Sequence, residues 1–187
     1  MFLSDIDIKE ELSSGGIICT PFIPENLSNS SIDLRLDEEI CMIWQDSLAP
    51  RGHALFELDE CGRVAVDMVG CRREVFSSRG GFVLEPGSFV LANTIEYVGP
   101  LSPRILGQIS DKSTLARLGL STFFGAGYID PGNALNITLE IKNNGHVPIR
   151  LEYGQHICQI RFAYLNSPVS SPYNGKYKNS TSLEGAK

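Results

Sequence analysis

The chain has 187 residues, of which 42% are hydrophobic and 20% are charged, and its formal net charge at pH 7 is −6. This length suits one domain, and the composition is that of a folded protein rather than a disordered one. The acidic balance argues against a nucleic-acid binder, which would normally present a basic face, and no apolar run approaches the ~20 residues that cross a membrane. The acidic N-terminus also lacks the features of a signal peptide, so we expect a cytoplasmic protein.

The five cysteines are widely spread and form no C-x-x-C pair, and the three histidines fall in no zinc signature. We therefore expect free thiols in a reducing cytoplasm and no structural zinc site. A zinc-dependent deaminase is excluded as well, because its H-x-E and P-C-x-x-C elements are missing.

The first element predicted along the chain is a helix that begins after Ser4. Ser4 can cap the helix, and the acidic residues of its first turn suit the helix dipole. Gly15 and Gly16 would end it. We interpret this helix as a packing element.

After Gly16 the chain shows short apolar segments separated by turn residues, a pattern typical of an all-β sandwich or barrel. Asn144-Gly145 also predicts a hairpin between the two segments that flank it. The predicted strands are 40–44, 54–58, 63–69, 82–84, 89–98, 104–109, 120–124, 135–142, 147–151 and 156–165.

One further helix is predicted at 110–118, beginning with cap-forming residues and ending at Gly119. Leu115 and Leu118 would face the core from this helix. Its first turn offers backbone N–H groups, hydroxyls and a lysine, which suit an anion such as phosphate. Ser and Thr at this position are nevertheless ordinary helix caps, so the pattern alone does not indicate a site.

The segment 136–142 alternates strictly between apolar and polar residues, so the polar set, Thr138, Glu140 and Lys142, would lie on one face of a strand. Taken alone, this is a solvated outer face. The preceding Asp130-Pro131-Gly132 is likewise an ordinary turn sequence.

Together, however, these segments match a known family. KSTLARLGL at 112–120, AGYIDPG at 126–132, ITLEIKN at 137–143 and PYNGKY at 172–177, with LSDIDI and SSIDLRL near the N-terminus, resemble the dCTP deaminases of the trimeric dUTPase-like superfamily. The resemblance covers nearly the whole chain and is weakest over 45–80. It implies a mainly β subunit, a distorted barrel or jelly-roll-like fold with one or two short helices, assembled as a homotrimer. Residues 1–167 would form one domain, and 168–187 a flexible tail closing over the nucleotide.

The resemblance also implies the chemistry: hydrolysis of dCTP to dUTP and ammonia without zinc, feeding dUMP and dTTP synthesis. Glu140 would activate water for attack at C4 of cytosine, and Ser113 and Arg117 would orient it. Mg²⁺ would bind through the phosphates, and dTTP would be a possible feedback inhibitor. The nucleotide site, shared between subunits, would comprise Lys112, Ser113, Thr114, Leu115, Ala116, Arg117, Ala126, Asp130, Thr138, Leu139, Glu140, Gln159, Tyr173, Lys176 and Ser180.

Two alternatives remain open. The chain could be bifunctional, a dCTP deaminase and dUTP diphosphatase that releases dUMP and diphosphate. It could also be a non-catalytic nucleotide-binding or regulatory protein on the same fold. Departures from the family pattern motivate the second alternative, namely Asp111 for glycine, Asn133 for an aromatic residue, Leu135 for glycine and Ser180 for glutamine.

Overall fold

The structure, a computed structural model, describes residues 1–43, 71–77 and 80–183. The strands predicted at 54–58 and 63–69 lie outside the described residues. The helices are α1 (Asp5–Ser14) and α2 (Ser113–Arg117), with a 3-10 turn at Pro24–Asn26. The strands are β1 (Ile17–Thr20), β2 (Leu27–Ser28), β3 (Ser31–Ile43), β4 (Cys71–Val75), β5 (Phe82–Leu84), β6 (Phe89–Pro100), β7 (Ile105–Asp111), β8 (Leu120–Ser121), β9 (Tyr128–Ile129), β10 (Leu135–Asn143), β11 (Ile149–Leu151) and β12 (His156–Tyr164).

Ten of these strands form one sheet in the order β8-β10-β6-β3-β12-β7-β9, with β1 on β6 and with β2 and β4 on β3. All the pairings are antiparallel. The 13-residue strand β3 joins the two halves of the sheet, pairing with β12 early and with β6 and β4 later. Register shifts along β3 let the sheet curl around one core. The expected mainly β fold with two short helices is confirmed.

The core is filled by the inward faces of the long strands. On β10 the burial alternates residue by residue, with Ile137, Leu139 and Ile141 buried. Their polar neighbours face the other side of the sheet, as the alternation in the sequence predicts.

A buried ion pair fastens β3 to β6. Glu96 is 1% exposed, and its two carboxylate oxygens accept hydrogen bonds from the backbone N–H and the Nε of Arg35 at 2.8 and 2.6 Å. Both oxygens are thus satisfied within the fold. The pair lies next to the irregular register of the two strands, so it fixes how they cross.

The hairpin predicted at Asn144-Gly145 is wrong. β11 pairs with β5 in a separate two-stranded sheet, whereas β10 pairs with β6 and β8. The Asn143 side chain explains why the chain does not turn back along β10 after this residue. Its Nδ2 donates to the carbonyls of Leu84 and Val147, and its Oδ1 accepts from the N–H of Gly145. These side-chain bonds replace the ladder that a hairpin would need.

The second helix is shorter than predicted. It spans Ser113–Arg117, and the residues expected to cap it, Ser110 and Asp111, belong to β7. Leu115 packs against the core as expected. The expectation for Leu118 is wrong, since it is 57% exposed just beyond the end of the helix.

Among the cysteines that the structure describes, Cys41 departs from the expectation of free thiols. Cys19 and Cys158 are free and buried, and burial raises the pKa of Cys19 to about 12 and that of Cys158 further. Cys41, expected as a free thiol, is disulfide-bonded. Among the described residues, no helix has the length and apolar character needed to cross a membrane.

Helix α1 begins with a reciprocal capping box. Asp7 Oδ2 accepts from the backbone N–H and the hydroxyl of Ser4, both at 2.8 Å, and the N–H of Asp7 donates back to Ser4 Oγ. The backbone bond from Ser4, followed by the hydroxyl bond, lowers the pKa of the Asp7 carboxyl below its usual 3.8. The ionised carboxylate therefore stabilises the folded chain above that pH, and the contribution is lost as the pH falls through the lowered value.

We predict that Asp7→Ala lowers the Tm by a few degrees at pH 7, because the cap loses both of its bonds to the carboxylate. The Tm gap to the wild type should shrink as the pH is lowered past 4 toward 2.5. Thermal melts across that range check this, with Glu10→Ala, an exposed acid on the same helix, as the control. A gap that stays constant with pH would contradict the assignment.

Candidate active site

Glu140 lies on the face of β10 that points away from the core. Its Oε2 accepts a hydrogen bond of 2.8 Å from the backbone N–H of Phe124, and its own N–H donates to the carbonyl of Thr122 at 3.1 Å. The carboxylate is thus held by the loop that follows β8, at the edge of the sheet. Because Glu140 is half-buried, this fixed carboxylate can still meet a ligand.

Two strand pairs extend the face around Glu140. Thr138 lies opposite Asn93 on β6, and its Oγ1 donates to Asn93 Oδ1 at 3.0 Å. Leu91 lies directly opposite Glu140 in the same register. Directly opposite residues of antiparallel strands share one face, so the surface around the carboxylate is polar on one side and apolar on the other.

An aromatic group borders the carboxylate on the solvent side. The Phe124 ring is 61% exposed and meets Phe89 edge-on, with ring centroids 6.4 Å apart. The Lys142 Nζ lies 5.0 Å from the centroid of the same ring. This cation–π contact places the positive charge of Lys142 beside Phe124, the residue whose N–H binds Glu140.

The short helix α2 presents its polar residues to solvent. Ser113, Thr114, Ala116 and Arg117 are exposed, whereas Leu115 is half-buried against the core. Lys112 is engaged differently, since its Nζ forms an ion pair with the carboxylate of Asp33. Within the described part of this chain, neither Ser113 nor Arg117 forms a hydrogen bond or ion pair with Glu140.

Asp111, an acid where the family commonly has glycine, turns away from α2. Its Oδ1 accepts from the N–H and the Oγ1 of Thr122, at 2.8 and 2.6 Å. Thr122 is fully buried. The carboxylate of Asp111 is therefore directed toward the buried Thr122 rather than toward the start of α2.

The segment Asp130-Pro131-Gly132 forms a turn, as its sequence predicts. The N–H of Asn133 donates to the carbonyl of Asp130 at 3.1 Å, and Gly132 adopts φ of 80°. That left-handed conformation favours glycine. The turn leaves Asp130 exposed, and Ala126 is exposed in the loop before it.

Two predicted site residues have side chains engaged within the fold. The Gln159 carboxamide accepts from Ser31 Oγ at 3.0 Å and donates to the carbonyl of Asp111 at 3.4 Å. Leu139 is 1% exposed in the core. Leu139 could therefore meet a nucleotide through its backbone alone.

The C-terminal segment follows the surface of its own chain. The N–H groups of Val169 and Tyr173 donate to the carbonyls of Pro103 and Pro131, at 2.9 Å each. Further along, Asn133 Oδ1 accepts from the N–H of Asn179, and the carbonyl of Ser180 accepts from the N–H of Asn136 at the start of β10. Tyr173 and Ser180 are half-buried, and Lys176 is exposed with its Nζ 5.4 Å from the Tyr177 ring centroid.

The end of this segment reaches the face that carries Glu140. Leu183 is 2% exposed and packs with Cys41, Leu91 and Phe89, and its carbonyl accepts from Arg73 Nη2 at 2.8 Å. Because Leu91 lies opposite Glu140, the C-terminal segment and the carboxylate share one side of the sheet. Pattern reading missed Leu183, Asn93 and Thr122, whose contacts depend on pairings that sequence periodicity does not specify.

In the described ranges, no group of three or more His, Cys, Asp or Glu side chains is arranged to hold a metal ion. The polar groups on and before α2 are hydroxyls, a guanidinium and a paired ammonium, which suit an anion.

Comparison with known proteins places this fold and its motifs in a family. A family model described as dCTP deaminase-like matches residues 2–165, and the chain belongs to that family. It is 38% identical over 173 residues to "dCTP deaminase, dUMP-forming" of Acidothermus cellulolyticus, covering 92% of this chain and 85% of that protein. A protein of the same name from Thermobifida fusca is 37% identical over 177 residues, covering 94% of this chain and 84% of its own length.

Among solved structures, the 2'-deoxycytidine 5'-triphosphate deaminase of Agrobacterium tumefaciens is similar with a TM-score of 0.62 and 21% identity. The match covers 86% of this chain and 47% of that chain, so this chain spans about half of its length. At that identity the likeness concerns the fold.

We predict that Leu183→Asp releases the C-terminal segment from the Glu140 face. Burying a leucine side chain contributes about 1.5–3 kcal/mol, so the open population should rise by roughly tenfold or more. Trypsin should then cleave after Lys176 and Lys178 correspondingly faster, as followed by mass spectrometry. Leu118→Asp, which changes an exposed leucine, is the matched control. Equal cleavage rates in the two variants would show that Leu183 does not hold the segment.

Proposed function

We propose that this chain is a dCTP deaminase that releases ammonia and carries the nucleotide on to dUMP and diphosphate. Glu140 carries the proposal, since it lies within the family's ITLEIKN motif and is held at the sheet edge by Phe124 N–H. The family membership of the chain supports the substrate class. The dUMP-forming name of its relatives favours the bifunctional alternative over release of dUTP.

In the proposed deamination, Glu140 accepts a proton from water, and the resulting hydroxide bonds to C4 of cytosine. The carboxylic acid then gives its proton to the ring nitrogen. The C4 hydroxyl then gives its proton back to the Glu140 carboxylate, which passes it to the exocyclic amino group. The bond between C4 and that nitrogen breaks, ammonia leaves, and C4 becomes a carbonyl. Because one carboxylate serves as base and then as acid, it must stay in place. Glu140 is held there by two bonds to the loop, one from Phe124 N–H to its Oε2 and one from its own N–H to the carbonyl of Thr122.

The remaining site residues would bind the nucleotide. Asp130, exposed at its turn, would accept a hydrogen bond from the deoxyribose hydroxyl, and the backbone around Ala126 would read the pyrimidine edge. Ser113, Thr114 and Arg117 would hold phosphates. Residues 168–187 would form the tail that closes over the triphosphate with Tyr173 and Lys176. Its path along the Glu140 face supports this arrangement.

Magnesium fits this scheme as an ion carried by the substrate. The α2 groups suit phosphate oxygens better than a cation, and Mg²⁺ keeps several waters when it binds nucleotides. When bound, it would neutralise phosphate charge, while the residues of the chain position the nucleotide around it.

The non-catalytic alternative rests on the departures from the family pattern, and the structure favours catalysis over it. Asp111 binds Thr122, Asn133 binds the tail at Asn179, and Ser180 bonds through its backbone. These three departures are thus engaged in internal hydrogen bonds, and the fourth, Leu135, is buried at the start of β10. None of them displaces Glu140 from its surface.

The active form is proposed to be a homotrimer whose sites lie between subunits. In one chain Arg117 is exposed and, among the described residues, forms no hydrogen bond or ion pair with Glu140. Leu118, Phe124 and Tyr128 are also exposed apolar residues near these elements. A second copy that covers them would bring Arg117 of one subunit to Glu140 of another.

Glu140→Gln tests the proposed reaction. Glutamine keeps an oxygen that can accept from Phe124 N–H but cannot take up the proton, so we expect ammonia release from dCTP with Mg²⁺ to fall about 10²–10⁴-fold. Binding of dCTP and the Tm should stay close to wild type. Glu85→Gln, the same change at an exposed turn, should retain full activity.

Chromatography of the wild-type products decides the second step, because dUMP with diphosphate supports the proposal and dUTP alone contradicts it. Adding dTTP to the same assay tests feedback inhibition. Tight dCTP binding with no ammonia from the wild type would instead favour the non-catalytic alternative.

Mixing two inactive variants tests the shared site. Glu140→Gln and Arg117→Gln would each be inactive alone, but subunits exchanged at equal ratio should regain about a quarter of wild-type activity. The reason is that a quarter of the intersubunit pairs combine an intact Glu140 with an intact Arg117. Activity that stays at the level of the separate variants after exchange would place both residues in one subunit.

A further inference from the structure

Asp111 forms the first link in a chain of hydrogen bonds that ends at Glu140. It is the last residue of β7, and its backbone is fixed by pairing with Cys158 on β12. Its Oδ1 accepts both from the N–H and from the Oγ1 of Thr122. Hydrogen bonds to an ionised acceptor are about twice as strong as neutral ones, so a rigid strand end holds Thr122.

Thr122 in turn belongs to the loop that holds Glu140 at two points. The Thr122 carbonyl accepts from the N–H of Glu140 at 3.1 Å, and two residues further on Phe124 N–H donates to Glu140 Oε2 at 2.8 Å. The segment 122–124 therefore binds Glu140 at both its backbone N–H and its carboxylate. Movement of Thr122 would shift the Phe124 donor relative to that carboxylate.

We propose that Asp111 is a positioning residue for Glu140, acting through Thr122 and Phe124. Glycine at this position would offer no acceptor for the Thr122 hydroxyl. The inference rests on the proposed deamination, because its consequence is a Glu140 carboxylate aligned for proton transfer. A misplacement of the order of 1 Å can cost about 10²-fold in rate.

The test compares three variants with one matched control. Asp111→Ala removes the acceptor, Asp111→Asn keeps an oxygen at the same place, and Thr122→Val removes the hydroxyl bond alone. Asp7→Ala is the control, because Asp7 likewise accepts from the N–H and the hydroxyl of one residue, Ser4, and lies on α1 rather than on the elements that hold Glu140.

We expect Asp111→Ala to lower kcat for dCTP deamination by about 10–100-fold with KM within about threefold. Asp111→Asn should restore most of kcat, and Thr122→Val should give an intermediate loss. Asp7→Ala should keep kcat while lowering the Tm. Wild-type kcat in Asp111→Ala, or an equal loss in Asp7→Ala, would overturn the proposal. An equal loss in Asp111→Asn and Asp111→Ala would overturn it as well.

Hydrogen exchange separates this inference from the proposed function. In Asp111→Ala and in Thr122→Val, the amides of Thr122 and Phe124 should exchange faster, while the core amides of β6 keep their protection. If the wild type releases no ammonia, the proposed reaction fails, and exchange at Phe124 still decides whether Asp111 positions the loop. Unchanged exchange at Phe124 in both variants would refute the link.

Discussion

The constraint on which the site depends is the alternation of β10 between core and surface. Ile137, Leu139 and Ile141 are buried, and slipping the strand by one residue would expose all three. At about 1.5–3 kcal/mol for each large aliphatic side chain, this packing fixes the register against β6. The position of Glu140 on the opposite face follows from that apolar packing, before any polar contact is considered.

The polar contacts then refine what packing has set. Residues 122–124 close over Glu140 from the edge of the sheet, and Leu183 occupies the apolar side of the same face beside Leu91. The loop and the C-terminal segment also meet the same strand, since Asn136 at the start of β10 donates to Ser180. A displacement of the C-terminal segment would thus also shift β10, the strand that carries the Glu140 carboxylate.

The sequence was informative wherever a structure depends on neighbours along the chain. The helix start at Ser4, the strand at 82–84 and the alternation at 135–142 follow from local spacing, and the structure contains them. The hairpin at Asn144-Gly145 failed because a distant strand, β5, competes for β11 and Asn143 redirects the chain. From the sequence, Asp111 was only a departure from the family pattern. Its partner, Thr122, lies 11 residues further along the chain, beyond α2, and residue spacing does not predict that contact.

Under the proposed function, an acidic chain has to hold a triphosphate, and the charges around α2 bear on how it would do so. Lys112 precedes the first residue of α2, yet its ammonium is already paired with Asp33. The carboxylate of Asp111 accepts a hydrogen bond from Thr122. The Lys112–Asp33 pair neutralises a positive charge, and the bond from Thr122 to Asp111 removes a negative charge from the surface. The uncompensated charge left on the helix is that of Arg117, which is exposed. A guanidinium binds phosphate through two parallel hydrogen bonds, so under the proposed function Arg117, rather than Lys112, supplies the directional contact to the nucleotide.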